Sequence, residues 1–196
     1  MSNKSIKGIN TKRSIDLVLV FFVIIITALP MAIISVLIKI TSSGPILYWS
    51  DRVGKYNQIF SMPKFRTMIE DAPQVATHLL ENPDLNLTKI GGFLRNYSLD
   101  ELPQLYCILI GLMSFVGPRP ALYNQKDLIG LRTKVGIDKL LPGLTGWAQV
   151  NGRDDLSIKK KYKLDEEYLN KQSISFDIYI MWLTFLRVIT RDGISH

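Results

Sequence analysis

Two adjacent carboxylates, Asp100 and Glu101, are the side chains of this sequence best suited to chemistry. Pro103 fits best in the first turn of a helix, so a helix is predicted to begin very near it. Both carboxylates then sit at the positive end of the helix dipole, where they can bind a divalent cation and one can act as an ionised nucleophile. Ser98 and Glu101 also have the spacing of a capping box, in which each side chain satisfies a backbone N–H. That purely structural interpretation stays open.

Basic side chains recur in short turns before and after the acidic pair. The candidates for phosphate binding are Lys64, Arg66, Arg95, Arg119 and Arg153. Arg119 lies between two prolines in a stiff Gly-Pro-Arg-Pro turn, and a guanidinium matches phosphate oxygens bidentately. Each of these residues alone is also typical of an ordinary turn or a surface ion pair. Together they indicate a surface for anionic ligands.

The composition limits the classes of function. The 196 residues have room for one modest domain and a membrane anchor, and 47% hydrophobic residues exclude a disordered chain. A net charge of +7 favours polyanionic partners: nucleic acid, anionic lipid or phosphorylated small molecules. The lone Cys107 excludes a disulfide framework, and two histidines with one cysteine cannot build a Cys/His zinc site. Walker A, Rossmann, GxSxG and HExxH signatures are absent from the sequence.

The hydrophobic residues are concentrated near the N-terminus. Residues 17–38 carry no charge, and as a straight helix they would span about 33 Å, enough to cross a bilayer. Pro30 removes one backbone hydrogen bond inside this run, and basic residues flank both of its ends. We therefore predict a re-entrant, helix-break-helix hairpin in residues 1–40 with both ends on the cytosolic side. A buried core helix is the alternative.

Residues 41–196 are predicted to form one catalytic domain of the α+β class, mostly helical around a small antiparallel sheet. The predicted elements are strands at 45–49 and 58–62 joined in a hairpin, a loop around a short helix at 70–84, helices at 122–141 and 157–171, a short strand at 147–150, and a last helix at 175–190. The last helix has one narrow polar stripe, consisting of Asp177, Thr184, Arg187 and Arg191. It is either a core helix with one wet edge or an amphipathic helix in the lipid interface.

Several ordered blocks of the sequence resemble the bacterial sugar transferases, the monotopic phosphoglycosyl transferases that start glycan assembly on polyprenyl phosphate. The blocks are residues 12–16, 43–45, 51–54, 64–68, 98–105, 113–120 and 142–153. The resemblance runs nearly the whole length of the chain. It implies a membrane protein held on the cytosolic face of the bacterial inner membrane, with its apolar helix broken at Pro30.

The resemblance also implies a mechanism. Asp100 corresponds to the family's nucleophile, which attacks the β-phosphate of a UDP-sugar, releases UMP and carries a covalent phosphosugar until polyprenyl phosphate, usually undecaprenyl phosphate, takes it. Glu101 corresponds to the partner carboxylate, and Mg²⁺ is the expected metal, held by Asp100 and Glu101. Arg119 corresponds to a phosphate-binding arginine, and Gln149 joins the basic residues as a substrate contact. We expect a UDP-2-acetamido sugar as the donor and membrane lipids as partners, and we expect no binding of nucleic acid. A homodimer is possible on this resemblance.

Three positions depart from the family pattern. Leu29 precedes Pro30 where the family has serine, so Pro30 alone must cause the helix break. Leu112 replaces an acidic residue, and Ser50 replaces a common glutamine. None of the three touches the predicted nucleophile.

Two other classes of function remain: a catalytically silent membrane adaptor that binds anionic lipid, and a nucleic-acid binder, which the apolar anchor disfavours.

Overall fold

The computed structural model describes residues 2–69, 86–152 and 156–190; of residues 2–10 and 189 it describes the backbone only. Its helices and strands are, in chain order, α1 (Ser2–Thr41), β1 (Leu47–Val53), β2 (Ile59–Phe65), α2 (Gly91–Asn96), α3 (Leu105–Leu109), β3 (Ser114–Val116), β4 (Ala121–Leu122), α4 (Lys126–Val135), β5 (Gly143–Thr145), α5 (Ile158–Lys171) and α6 (Ile174–Thr190). The predicted class, mostly helical with a small antiparallel sheet, is confirmed. The predicted loop at 70–84 lies outside the described residues.

The predicted hairpin is confirmed, with strands longer than predicted. Strands β1 and β2 pair antiparallel from Leu47 opposite Phe65 to Val53 opposite Ile59, and β4 adds a short third strand beside the end of β1. A 3₁₀ turn, Lys55–Asn57, joins the two long strands, and Tyr56 and Asn57 both have positive φ angles. Strand β1 begins two residues after its predicted start, and both strands continue past their predicted ends, β1 to Val53 and β2 to Phe65.

A second, parallel pair, β3 with β5, was not predicted. Strand β5 occupies Gly143–Thr145, whereas the sequence pattern predicts a strand at 147–150. That prediction was wrong: this segment is a turn and a 3₁₀ helix, in which the Val150 N–H donates to the Gly146 carbonyl at 3.1 Å. The amide of Asn151 donates to the Trp147 carbonyl at 2.7 Å, so local hydrogen bonds replace those of a ladder.

The apolar helix α1 packs on the rest of the chain before and after Pro30. Val20 is fully buried in one hydrophobic cluster with residues of β2 and α3, and Ile34 and Ile38 are buried in a second cluster with residues of β2 and α2. The opposite face of α1 is exposed and apolar, and consists of Phe21, Phe22, Ile25, Ile26, Leu29, Ile33, Val36 and Ile40. Thr11–Thr41 is long and apolar enough to span a membrane, and only 11% of its most apolar stretch is buried, so α1 is not a core helix.

The predicted break at Pro30 is not confirmed, since α1 continues through the proline as one helix. A proline removes one backbone hydrogen bond, and the remaining bonds keep the helix together. The hydroxyls of Thr27 and Ser35 donate to the carbonyls of Val23 and Met31, each at 2.7 Å, on either side of the proline. Such bonds to the preceding turn often bend a helix. A re-entrant path through the bilayer stays a prediction.

Polar side chains attach the N-terminal half of α1 to α6. The Lys12 ammonium forms an ion pair with Asp177, and it donates to the Tyr168 hydroxyl at 3.1 Å and the Val116 carbonyl at 2.9 Å. Asp16 accepts the Phe115 N–H at 3.2 Å. These partly buried polar contacts attach the start of the apolar helix to β3, α5 and α6.

The polar stripe of α6 faces inward. Asp177 is buried against Lys12, and the Thr184 hydroxyl lies 2.6 Å from the Thr145 hydroxyl. The face exposed to the surroundings is instead apolar, and includes Ile178, Tyr179, Trp182, Phe185 and Leu186. The interpretation of α6 as a core helix with a wet polar edge is therefore wrong. Arg191, the last member of the stripe, lies outside the described residues.

Candidate active site

The acidic pair lies in a 3₁₀ helix, Leu99–Gln104, which leads directly into α3. Ser98 precedes it with φ 55° and ψ 22°, and its hydroxyl makes no capping hydrogen bond. The capping-box interpretation is wrong, because a capping residue needs an extended backbone to place its oxygen over the first free N–H groups. The Glu101 side chain is therefore available for contacts with other segments of the chain. Pro103 lies inside the helical segment, close to the predicted start.

Glu101 is bound by two cations through a single oxygen. Lys64 Nζ lies 2.7 Å and Arg119 Nη2 lies 3.0 Å from Glu101 Oε1. Burial alone would raise the pKa of Glu101, but the charges and hydrogen bonds of Lys64 and Arg119 outweigh it and hold this pKa well below its ordinary range. Glu101 is thus an anion that contacts both cations through one oxygen.

Asp100 has a different environment from its neighbour. Its residue is 7% exposed, and its carboxylate makes no hydrogen bond within the described chain; Lys64 Nζ lies 3.7 Å away. Burial raises the pKa of Asp100, Lys64 opposes that rise, the charge of Glu101 adds to it, and Arg95 and Arg119 oppose it, with the pKa raised overall. An anion that is poorly solvated and not hydrogen-bonded is a better nucleophile than one whose lone pairs are occupied.

Four separate segments bring charges to this cluster. Lys64 comes from β2, Arg95 from the last turn of α2 and Arg119 from the turn that follows β3, while the carboxylates come from the 3₁₀ helix. Arg95 Nε donates to the Thr67 hydroxyl at 2.9 Å, and burial lowers its pKa while the charge of Asp100 raises it. The structure thus brings together three of the basic residues predicted from the sequence.

Arg66 is an exception, because the contacts of its side chain within the described residues are with the end of α1 and not with the acidic pair. Its guanidinium donates to the Ser42 hydroxyl at 2.8 Å and to the Ser42 carbonyl at 3.2 Å, and it also contacts the Ser43 carbonyl. The end of α1 carries the negative end of the helix dipole, which attracts a cation. The role of Arg66 as a phosphate ligand stays a prediction.

Gln149 and Arg153 are not part of the described cluster. Gln149 is 8% exposed, and its amide nitrogen donates to the Leu144 carbonyl at 2.9 Å, within the loop that contains β5. Its buried Oε1 has no hydrogen-bond partner in the described parts of the chain. Arg153 lies outside the described residues, so its predicted role stays a prediction.

The donor set at the acidic pair suits a hard cation shared with a substrate. Across residues 2–69, 86–152 and 156–190, no group of three or more His, Cys, Asp or Glu side chains could hold a metal. Mg²⁺, however, is commonly bound by one or two carboxylates together with substrate phosphates and water. Asp100 and Glu101 provide those carboxylates, although Glu101 Oε1 is already bonded to Lys64 and Arg119. The residues present therefore fit a metal that arrives with a diphosphate.

One buried charged pair next to this cluster was not predicted from the sequence. Arg132 Nε and Nη2 contact Asp165 Oδ2 at 2.9 and 2.6 Å, and Arg132 Nη1 donates to the Arg119 carbonyl at 2.8 Å. The two charged residues are 33 positions apart and lie on different helices. No local spacing signals such a contact.

Comparison with known proteins decides the family. The family model described as bacterial sugar transferase matches residues 7–191. This chain belongs to the bacterial sugar transferase family. The resemblance of the sequence blocks is thereby confirmed over nearly the whole chain.

Curated relatives of this bacterial sugar transferase fall into two sizes. The uncharacterized sugar transferase EpsL of Bacillus subtilis is 34% identical, over 94% of this chain and 90% of its own length. The UDP-glucose:undecaprenyl-phosphate glucose-1-phosphate transferase of Escherichia coli is 35% identical, over 93% of this chain and 41% of its own. A UDP-N-acetylgalactosamine-undecaprenyl-phosphate N-acetylgalactosaminephosphotransferase of Aeromonas hydrophila is 32% identical, over 93% of this chain and 44% of its own. The chain thus spans less than half of the two larger relatives.

Proposed function

We propose that this bacterial sugar transferase moves a sugar 1-phosphate from a UDP-sugar to undecaprenyl phosphate, releases UMP, and so starts the assembly of a bacterial polysaccharide. The relatives from E. coli and A. hydrophila, whose names state such reactions, support this assignment. The observation that carries it is the buried Asp100 carboxylate, which makes no hydrogen bond to the described residues and lies beside Lys64 in a cluster with Arg95 and Arg119. The A. hydrophila name supports a 2-acetamido sugar as the donor's sugar.

The proposed transfer proceeds in two displacements at the β-phosphorus. In the first, an Asp100 oxygen forms a bond to phosphorus, and the bond from phosphorus to the bridging oxygen breaks, so that UMP leaves with the electron pair. In the second, an oxygen of the lipid phosphate attacks the same phosphorus, and the Asp100 carboxylate leaves. Both substrates are anions, so Lys64, Arg95 and Arg119 lower the barrier by neutralising charge.

We also propose that Asp100 and Glu101 hold Mg²⁺ together with the donor diphosphate. The bound ion would neutralise charge on the diphosphate. Glu101 keeps Lys64 and Arg119 within hydrogen-bond distance of one oxygen, so these cations are already oriented when the donor arrives. Orientation before binding is worth more to catalysis than the same charges on mobile side chains.

We propose a monotopic placement on the cytosolic face of the inner membrane. Since α1 contacts the same domain before and after Pro30, a straight crossing would carry part of that charged domain into the bilayer. The exposed apolar faces of α1 and α6 offer surfaces for lipid, and Trp182 on α6 suits the headgroup region. An active site at this height reaches a lipid phosphate without entering the hydrocarbon.

The topology is testable by thiol labelling in intact cells. Single cysteines placed by Asn3→Cys and Lys55→Cys, in a Cys107→Ser background, should both be shielded from an impermeant reagent added outside, because both ends of α1 face the cytosol. Labelling of the first alone would mean a true crossing. Lysed cells provide the control, since both sites should then react.

A second prediction concerns the fork of Arg119. Arg119→Lys keeps the charge but loses the planar pair of donors that bind Glu101 and a phosphate together. We expect kcat/KM for UMP release to fall at least about tenfold, or about 1.4 kcal/mol of transition-state stabilisation. Unchanged kinetics would make Arg119 a structural turn residue.

The function itself is tested by UMP release from a panel of UDP-sugars with undecaprenyl phosphate and Mg²⁺ in detergent. We expect release with at least one donor, and the strongest release with a 2-acetamido sugar. Tight binding to anionic liposomes without release of UMP from any donor would favour the adaptor alternative instead. Release from UDP-glucose alone would correct the donor and retain the reaction.

A further inference from the structure

The turn that presents Arg119 cannot hold its own shape by local hydrogen bonds. Pro118 and Pro120 have no N–H group, so the turn has few donors of its own. The carbonyls of its last three residues instead accept bonds from other parts of the chain. The Gly143 N–H donates to the Pro118 carbonyl at 3.0 Å, Arg132 Nη1 donates to the Arg119 carbonyl at 2.8 Å, and Arg52 Nη1 donates to the Pro120 carbonyl at 3.4 Å.

Arg132 is the donor that bonds directly to the backbone of Arg119. It is 9% exposed, and its other two nitrogens bind Asp165, which is 1% exposed. Burial raises the pKa of Asp165, while Arg132 lowers it, and the pKa stays raised overall. A buried ion pair of this kind adds little net stability over apolar side chains of the same size, because desolvation offsets the attraction. Stability therefore does not account for this ion pair, whereas its bond to the turn can orient Arg119.

The geometry of the guanidinium explains why an arginine is present. Its planar fork places two nitrogens on the Asp165 carboxylate of α5 while the third reaches the turn, so one side chain of α4 links α5 to the turn. A lysine has a single ammonium and cannot reproduce both contacts in a fixed direction. From this turn the side chain of Arg119, which is 35% exposed, reaches Glu101 Oε1 with Nη2 at 3.0 Å.

We propose that Arg132 and Asp165 are positioning residues for Arg119, which aim its guanidinium at Glu101 and at the donor phosphate. Neither touches the reacting atoms. This inference rests on the proposed function for the identity of the phosphate. It goes further by extending the active site to a salt bridge between α4 and α5.

A double-mutant cycle on kcat/KM for UMP release tests the inference. Arg132→Lys and Asp165→Asn should each lower kcat/KM about tenfold in the wild-type background, because a wrongly oriented Arg119 loses its contacts with Glu101 and the donor phosphate. In an Arg119→Ala background, the same substitutions should cause less than about a twofold further loss, since no guanidinium remains to be aimed. If each substitution lowers kcat/KM by the same factor in both backgrounds, the positioning role is overturned.

A matched control and a binding measurement complete the test. Lys134 lies exposed in the same last turn of α4, so Lys134→Gln should leave kcat/KM within about twofold of wild type. UDP affinity by calorimetry should weaken with Arg132→Lys in the wild-type background and not in the Arg119→Ala background. Asp165→Asn, the smaller change, keeps the cycle usable where Arg132→Lys lowers the melting temperature. UDP binding without UMP release would overturn the proposed function alone, and a wild-type chain that binds no UDP would overturn both.

Discussion

Asp100→Asn is expected to lower UMP release at least about 10³-fold, because the amide cannot form the bond to phosphorus that the carboxylate forms. The variant should fold and bind membranes as wild type does, since Asp100 makes no hydrogen bond within the described chain. Folding raises the pKa of this buried acid, so its ionised form opposes folding at neutral pH. A neutral asparagine removes that penalty. The melting temperature should therefore equal or exceed that of wild type.

Glu101→Gln provides the contrast to this variant. The pKa of Glu101 is lowered on folding, so its charge stabilises the protein at neutral pH, and this stability is lost as the pH falls through the folded pKa. The glutamine oxygen can still accept hydrogen bonds, but Lys64 and Arg119 lose the negative charge that they share, at a cost of about 3 kcal/mol. Both activity and melting temperature should fall. Activity of Asp100→Asn within tenfold of wild type would exclude Asp100 as the nucleophile.

Gly143→Ala is expected to destabilise the protein strongly through a backbone clash. A Cβ at this position would fall well inside contact distance of the Gly117 nitrogen and the Thr145 carbonyl, and 2.7 Å from the Gly117 Cα. Strands β3 and β5 must then separate, and the Gly117 end of the turn that carries Arg119 moves with β3. We expect about 3 kcal/mol of destabilisation, with loss of UMP release.

Gly130→Ala is the matched control for that substitution. Gly130 lies inside α4, and a methyl group added there would have no described neighbour within 4 Å, so alanine fits without a clash. Because alanine favours helix over glycine, this variant should gain about 0.5–1 kcal/mol. Thermal melting of the two variants in detergent should therefore move in opposite directions. Equal melting temperatures would contradict the close packing of β3 on β5.

Local patterns in the sequence predicted those parts of the fold that depend on local physics. The β1–β2 hairpin follows from two apolar runs around a turn, and α5 follows from its helical period and from Ser157, whose side chain accepts the Lys160 N–H. The prediction of a strand at 147–150 was wrong, since a short apolar run does not distinguish a strand from a 3₁₀ helix. Contacts between distant residues, such as Arg132 with Asp165, leave no periodic signal in the sequence.

For the active-site residues, too, the sequence predicts which residues take part but not how they are oriented. Lys64 and Arg66 are two positions apart and look alike in the sequence, yet β2 ends at Phe65, and only Lys64 contacts Glu101. The polar stripe on α6 was found correctly, but its direction depends on Lys12, which lies 165 residues away from Asp177. The charged groups can be identified from the sequence. Their orientation depends on how the helices and strands pack.

The covalent phosphosugar on Asp100 is the central claim, and one mass measurement tests it. Wild-type protein is incubated with Mg²⁺ and the UDP-sugar that gives the strongest UMP release, without undecaprenyl phosphate, and is then quenched rapidly in acid. We predict an added mass of one sugar phosphate on the peptide that contains Asp100, absent from Asp100→Asn. Absence of any adduct, together with initial-rate patterns that intersect as for a ternary complex, would show direct transfer and leave Asp100 as a metal ligand.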